Sequence, residues 1–258
     1  MAGGWTWVVS TGDVRVGVTT SRRELTTSTV VVAGGAALLV DPSWDPDELC
    51  WIAADLAAAG IEVTAGFATH AHHDHVLWHP DLGDARRWAG PETVRLAARH
   101  RARLVANLGE EWPADLAELV GRLTPVDGDR LPWAGADAAL ITHDAHAAGH
   151  TAVWIGTVGV LLAGDMLSDV ELPLLETSSA ADYLAGLAAL RPSVERAAVL
   201  VPGHGHPAVG GPAVRARWHA DRRYVQSLLD RREVVDPRVG NPGMPAAHRA
   251  NLARAALS

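Results

Sequence analysis

Thr69, His70, Ala71, His72, His73, Asp74 and His75 run consecutively, so four or five metal-type donors crowd one short stretch. Imidazole and carboxylate are the donors that suit borderline divalent cations such as zinc. The stretch follows an apolar run, 61–69, that reads as a strand, so these side chains project from a rigid edge. The spacing lets His70 and His72 point together while Asp74 and His75 point to a neighbouring spot. Four or five donors cannot close two metal sites. Donors of the same kind stand beside glycine at other strand ends: His150 after Gly149, Asp165 after Gly164, and His204 between Gly203 and Gly205. Glycine there permits tight turns and close backbone approach.

The elements that must carry these residues are legible in outline. Runs 29–33 and 36–40, separated by Gly34 and Gly35, predict a hairpin, stopped by Asp41 and Pro42. Asp45 as N-cap, Pro46 at the first helical position and Glu48 three residues beyond the cap predict a helix. Leu49, Ile52, Ala53 and Leu56 form its apolar face, and Gly60 ends it. After the strand 61–69, a histidine-rich loop is expected to reach about Gly90. Segments 91–108 and 113–120 read as helices, and 137–142, 151–157 and 159–163 as strands. A helix over 179–190, a short buried strand over 197–201 and a long helix over 212–232 follow, with a last short helix from Pro245. The long helix should bury Val214, Trp218, Val225, Leu228 and Leu229. No linker and no repeat is visible, so 1–258 reads as one domain, with a core over about 28–210 and C-terminal helices over 212–257.

Composition narrows the class. The chain has 258 residues, 48% of them hydrophobic, which excludes disorder and fibrous architecture. The single cysteine, Cys50, excludes a disulfide framework and a thiolate-built metal site, and is expected to be a buried structural thiol. All 22 basic residues are arginine, and the net charge of −8 argues against a nucleic-acid binder. No run reaches about 18 consecutive apolar residues, and 1–10 lacks a basic region leading into a long apolar one. A cytoplasmic protein acting on a small molecule, with no membrane and no nucleic-acid partner, is the expectation. Oligomeric state is left open, a homo-oligomer included.

The pattern His70-x-His72-x-Asp74-His75, then His150, Asp165 and His204, resembles the metallo-β-lactamase superfamily, over about residues 28–210. Leu39, Val40, Asp41 and Pro42 also resemble that family's aspartate before the first helix. The resemblance implies an α/β four-layer αββα sandwich with a metal site on one edge between two sheets. Carried over by position, it implies His70, His72 and His150 on a first metal, Asp74, His75 and His204 on a second, and Asp165 bridging. The cofactor implied is two zinc ions, with iron or manganese as alternatives. The chemistry implied is attack of a metal-bridging hydroxide on a carbonyl or phosphoryl centre, with Asp74 orienting the nucleophile or accepting a proton.

Departures from the family's branches narrow the function. Asp165 stands where some zinc β-lactamases use cysteine and where others lack a bridging carboxylate, so antibiotic hydrolysis is disfavoured. The pattern is nearer to glyoxalase-type thioesterases and lactonases. The expectation is a dinuclear zinc hydrolase of an ester, thioester or lactone. The alternatives are a mono-iron persulfide-dioxygenase-like oxidoreductase and a phosphodiesterase or nuclease. Six further residues are candidates for supporting the ligands or lining the pocket: Asp41, Trp78, His79, His146, Ser168 and Tyr183.

Overall fold

The computed structural model describes residues 4–255. Its chain forms two sheets. The first has seven strands in sequence order: β1 (Thr6–Thr11), β2 (Val14–Thr20), β3 (Thr27–Ala33), β4 (Ala36–Val40), β5 (Val63–Ala68), β6 (Arg86–Ala89) and β7 (Thr124–Pro125). β1 to β4 pair antiparallel, and β4 to β7 pair parallel. The second sheet orders β12 (Ala208–Val209), β11 (Val199–Val201), β10 (Val160–Leu162), β9 (His150–Ile155) and β8 (Ala139–His143). Only β10 and β11 are parallel in it.

Side-chain alternation assigns each strand two faces. Val31, Leu38, Val40 and Phe67 from the first sheet meet Val153, Ile155, Leu162 and Val201 from the second, forming the core between the sheets. The opposite face of the first sheet, with Val30, Ala37 and Leu39, packs on Ile52, Ala53 and Leu56 of α1 (Pro46–Ala58). α2 (Pro91–Asn107) and the short α3 (Ala114–Ala117) cover the rest of that side, around Ala97, Leu104 and Leu116. The outer face of the second sheet, with Ala152, Trp154, Leu161 and Leu200, packs on Tyr183, Leu187 and Leu190 of α4 (Ala180–Arg196). Val214, Trp218, Val225 and Leu228 of α5 (Gly211–Leu229) join them. α6 (Met244–Ala255) closes the end. The layers therefore run helices, sheet, sheet, helices. Each fully buried Val, Leu or Phe contributes about 1.5–3 kcal/mol, so the apolar alternation is what holds the layers in register.

Local chemistry explains the joints. Gly34 and Gly35 take φ of 58° and 78°, the left-handed pair that a two-residue hairpin needs. At the start of α1, Glu48 Oε2 accepts the Asp45 N–H at 3.2 Å, the return half of a capping box. Glu48 is buried and also accepts from Ser21 Oγ at 2.6 Å and the Arg22 N–H at 2.9 Å, tying loop 21–26 to the helix.

Several expectations change. β1 and β2 add to the strands predicted, although Val14, Val16 and Val18 alternate. The loop expected to reach Gly90 contains β6, whose pairing with β5 and β7 is tertiary. Segment 113–120 is helical for only four residues. Leu229 is exposed, as the last residue of α5, and Cys50 is exposed on the outer side of α1. Among the described residues no helix is long and apolar enough to cross a membrane.

Candidate metal centre

The residues that follow β5 of the first sheet and the parallel pair β10 and β11 of the second meet at one edge of the sandwich, and β9, antiparallel to β10, begins there. The loops leaving those ends bring two donor groups together. His70, His72, His146 and Asp165 form one, with donor atoms all within 4.8 Å of one another; Asp74, His75 and His204 form the other. In the first, His146 Nε2 lies 3.1 Å from His72 Nδ1 and 3.2 Å from Asp165 Oδ2, and His70 Nε2 lies 3.3 Å from Asp165 Oδ2. In the second, His75 Nε2 lies 3.2 Å from Asp74 Oδ2 and 3.4 Å from His204 Nε2, and His204 Nε2 lies 3.3 Å from Asp74 Oδ2. Asp165 reaches this group too, with Oδ1 at 3.1 Å from His75 Nε2 and Oδ2 at 3.4 Å from His204 Nε2.

These separations fit a metal. Around a tetrahedral zinc with bonds of about 2.0–2.1 Å, neighbouring donors stand about 3.3 Å apart. Facing imidazole lone pairs at such distances repel unless a proton or a cation lies between them. His70 Nε2 and Asp165 Oδ1 are buried without a hydrogen-bond partner, which is costly unless something else binds them. Space is kept for the carboxylate as well: a Cβ on Gly203 would stand 2.0 Å from Asp165 Oδ1.

The ring orientations are set from behind. Asp41 accepts the Thr69 N–H at 2.9 Å, the Thr69 hydroxyl at 2.7 Å and His75 Nδ1 at 2.9 Å. A carboxylate only accepts, so His75 carries its proton on Nδ1 and turns Nε2 to the centre. Because the Thr69 hydroxyl donates to Asp41, its oxygen accepts from His70 Nδ1 at 3.0 Å, which frees His70 Nε2. His204 Nδ1 donates to the Glu24 carbonyl at 2.9 Å, and Thr26 Oγ1 donates to Asp74 Oδ2 at 3.2 Å. Burial opposes charge on Asp74 and Asp165, yet the surrounding imidazoles hold both well below the usual carboxylate range. Burial likewise opposes charge on His75 and His204, but Asp165 and Asp74 raise them well above the usual imidazole value. The cluster therefore draws positive charge to itself.

One donor in these groups differs from the set that the resemblance implies. His146, not His150, faces His72 and Asp165. His146 takes φ of 65°, a conformation few non-glycine residues adopt, and Thr177 Oγ1 donates to its carbonyl at 2.7 Å. His150 is the first residue of β9, where it pairs with His143 across the sheet, and their rings stack at 4.8 Å. Its Nε2 accepts the backbone N–H of Asp165 at 3.1 Å, so it positions the chain at Asp165 and lies outside both donor groups.

The pocket candidates divide. Asp41 and His146 lie at the centre. Ser168 is buried and structural: its hydroxyl donates to the His204 carbonyl at 2.8 Å and accepts the N–H groups of Val170 and Glu171 at 3.0 Å. Tyr183 is core, its hydroxyl donating to Asp221 Oδ2 at 2.9 Å between α4 and α5. Trp78 packs on Gly66 and α1, on the outer face of the first sheet. His79 caps a short turn by accepting the Asp81 N–H at 3.2 Å, and groups with Cys50 and Asp81 at the surface. Nearness in sequence to the histidine motif misleads for both, because the chain turns away after His75. His73 lies outside both donor groups, its ring meeting Trp44 edge-on at 5.0 Å.

Sequence reasoning misses Glu171, which groups with Asp165 and His204 and which burial pushes up to about 7. Its only signal is its place six residues beyond Asp165. A groove of about 710 Å³ along α1 and residues 81–85 lies away from this chemistry. A cavity of about 680 Å³, lined by Glu171 and Glu24, lies beside it.

Residues 22–204 match the family model of the metallo-beta-lactamase superfamily. The chain belongs to that superfamily. It is a metal-dependent hydrolase by class, with histidine–aspartate groups able to hold metal. No curated protein matches its sequence. A metallo-beta-lactamase family protein of Thermus thermophilus is 24% identical, with a TM-score of 0.61 over 85% of this chain and 81% of that one. A metallo-beta-lactamase of Erythrobacter litoralis is 18% identical, with a TM-score of 0.61 over 86% and 97%. The sec-alkylsulfatase Pisa1 of Pseudomonas sp. is 16% identical, with a TM-score of 0.63 over 83% of this chain and 41% of that one. At these identities the likeness of the structures is one of fold.

Proposed function

We propose that the chain is a dinuclear zinc hydrolase of a small acyl substrate: an ester, thioester or lactone. The observation that carries this reading is the pair of donor groups joined by one carboxylate, Asp165. His70, His72 and His146 would hold one ion, Asp74, His75 and His204 the other, and Asp165 would touch both. When bound, such ions polarise a substrate oxygen and make water acidic near neutral pH. The chain's own residues do the rest. Asp41 and Thr69 fix two imidazole tautomers, and Thr26 holds the Asp74 carboxylate. Asp74 orients the attacking water and takes its proton. Hydrolysis then breaks the acyl bond to oxygen or sulfur, with hydroxyl added to the acyl carbon and the proton passed to the leaving group.

The test is metal content by elemental mass spectrometry, on protein purified without a histidine tag, followed by an ester, thioester and lactone panel. About two zinc per chain and chelator-sensitive acyl hydrolysis are expected. About one iron per chain, with persulfide oxidation, would overturn the reading, as would manganese-stimulated phosphodiester cleavage without acyl hydrolysis. Asp165→Ala should abolish turnover, and retained activity would remove Asp165 from its bridging role.

A further inference from the structure

The cavity beside the metal centre carries a charge pattern. Two glutamates, Glu24 and Glu171, stand among its lining residues, and Leu25, Val170 and Met244 supply apolar walls. Its volume, about 680 Å³, is that of a small-molecule site. Glu171 connects it to the chemistry: its carboxylate groups with that of Asp165 and the imidazole of His204 within 4.8 Å, and its Oε1 lies 4.0 Å from His204 Nδ1. Glu24 connects it from the other side, because its carbonyl accepts from that same His204 Nδ1. Asn241 also lines the cavity, and its amide N–H₂ donates to the Val170 carbonyl at 2.8 Å, which leaves its oxygen as an acceptor.

The lining includes no arginine, and the chain has no lysine. The guanidinium groups around it are held by carboxylates: Arg23, next to Glu24, pairs with Asp45 at 3.5 Å, and Arg238 also donates to the Glu171 carbonyl at 2.9 Å. Arg238 is buried against Asp221 and Asp236, Arg217 pairs with Asp169, and Arg22 pairs with Asp45 and Asp47. A carboxylate, sulfate or phosphate on a substrate arm would face Glu24 and Glu171 with no cationic side chain in the lining to offset them, and that mismatch is itself a specificity device.

We infer that this cavity receives a cationic arm, an ammonium group on a short apolar chain, so that the enzyme selects acyl substrates bearing a positive charge over anionic ones. This deepens the hydrolase reading and rests on it for the bond broken, while the charge selection stands on the cavity alone. Glu24 and Glu171 flank the cation, Asn241 accepts from it where it carries N–H, and the apolar walls take its carbon chain.

Two measurements on the metal-loaded protein test it separately. The first is calorimetric binding of choline against its neutral carbon isostere, in which tert-butyl replaces trimethylammonium. The two carry the same hydroxyl, so they do not differ in ability to ligate a metal. Choline should bind about tenfold more tightly, with the ratio falling severalfold in Glu24→Gln and in Glu171→Gln. Glu24 is exposed, so its variant stays folded even where the Glu171 variant does not. A ratio within about twofold in the wild type, or one unchanged in both variants, overturns the inference. The second is kcat/KM for chromogenic esters ending in ammonium, methyl or carboxylate. The order ammonium, methyl, carboxylate is expected, and a flat or reversed order overturns it. Charge-selective binding without hydrolysis of any ester would leave the cavity assignment standing and sink the hydrolase reading. Hydrolysis without charge preference would do the reverse.

Discussion

The exchange of roles between His146 and His150 is decided atom by atom. His146 Nε2 stands 3.1 Å from His72 Nδ1 and belongs to the donor group, whereas His150 Nε2 accepts the Asp165 N–H. His146→Ala should therefore lower bound metal by about one equivalent per chain, with activity falling alongside. His150→Ala should retain both metals and lose activity only through a misplaced Asp165. Elemental analysis of the two variants separates them, and equal metal loss in both would return His150 to the ligand set. His143, stacked on His150, supplies a second residue-scale test. Both of its nitrogens are buried without partners, and burial pushes it down to about 4 from an ordinary value near 6.5. The unfolded chain binds the extra proton between those values, so this contribution is complete above pH 6.5 and is lost as pH falls toward 4. In chelated protein, the drop in urea midpoint between neutral and acid pH should be smaller for His143→Phe than for the wild type. An identical drop would show that His143 carries no such penalty.

At the scale of elements, the segment after Asp165 is held by an ion pair between Asp221, on the buried face of α5, and Arg238, in the turn 237–240 beyond that helix. Arg238 donates to Asp221 Oδ1 at 2.6 Å and to the carbonyls of Ser168 and Glu171 at 2.9 Å. Asp221 Oδ2 in turn accepts from the Leu167 N–H and the Tyr183 hydroxyl, both at 2.9 Å. Burial pushes Asp221 upward, and Arg238 beside it pulls the other way. Removing one partner of a buried pair strands the other charge and costs about 3–5 kcal/mol. Arg238→Met should show that loss in chemical denaturation, and pairing it with Asp221→Asn should recover part of it. Additive losses would mean the two groups act independently.

For the whole molecule, the donors come from both sheets. His70, His72, Asp74 and His75 follow β5 of the first sheet, while His146, Asp165 and His204 leave strands of the second. An ion held between them ties the layers together at one edge, and anything that binds only the folded state stabilises it by mass action. At a hundredfold excess over Kd this is about 2.7 kcal/mol, or about 5–10 °C in Tm for a chain of this size. Chelation should lower Tm by that amount and zinc should restore it. An unchanged Tm would mean the two groups do not close around metal.

The sequence alone determined the donor types, their placement at strand ends, and much of the scaffold. The hairpin at Gly34 and Gly35, the cap of α1, and the strands carrying the donors are local matters of backbone freedom, side-chain entropy and period-2 burial, all of which spacing records. The Asp41 support was legible for the same reason, because the strand ending at Val40 delivers it to the edge. Only the tertiary structure decided which way each side chain turns. His146 and His150 are four residues apart and chemically identical; the pairing of His150 with His143 in the sheet and the left-handed backbone at His146 assign their roles. Trp78 and Tyr183 are as amphipathic as pocket residues, yet packing on Gly66 and the bond to Asp221 place them in the core. Glu171 and Glu24 meet at one cavity because distant loops converge there, and no local propensity encodes that convergence.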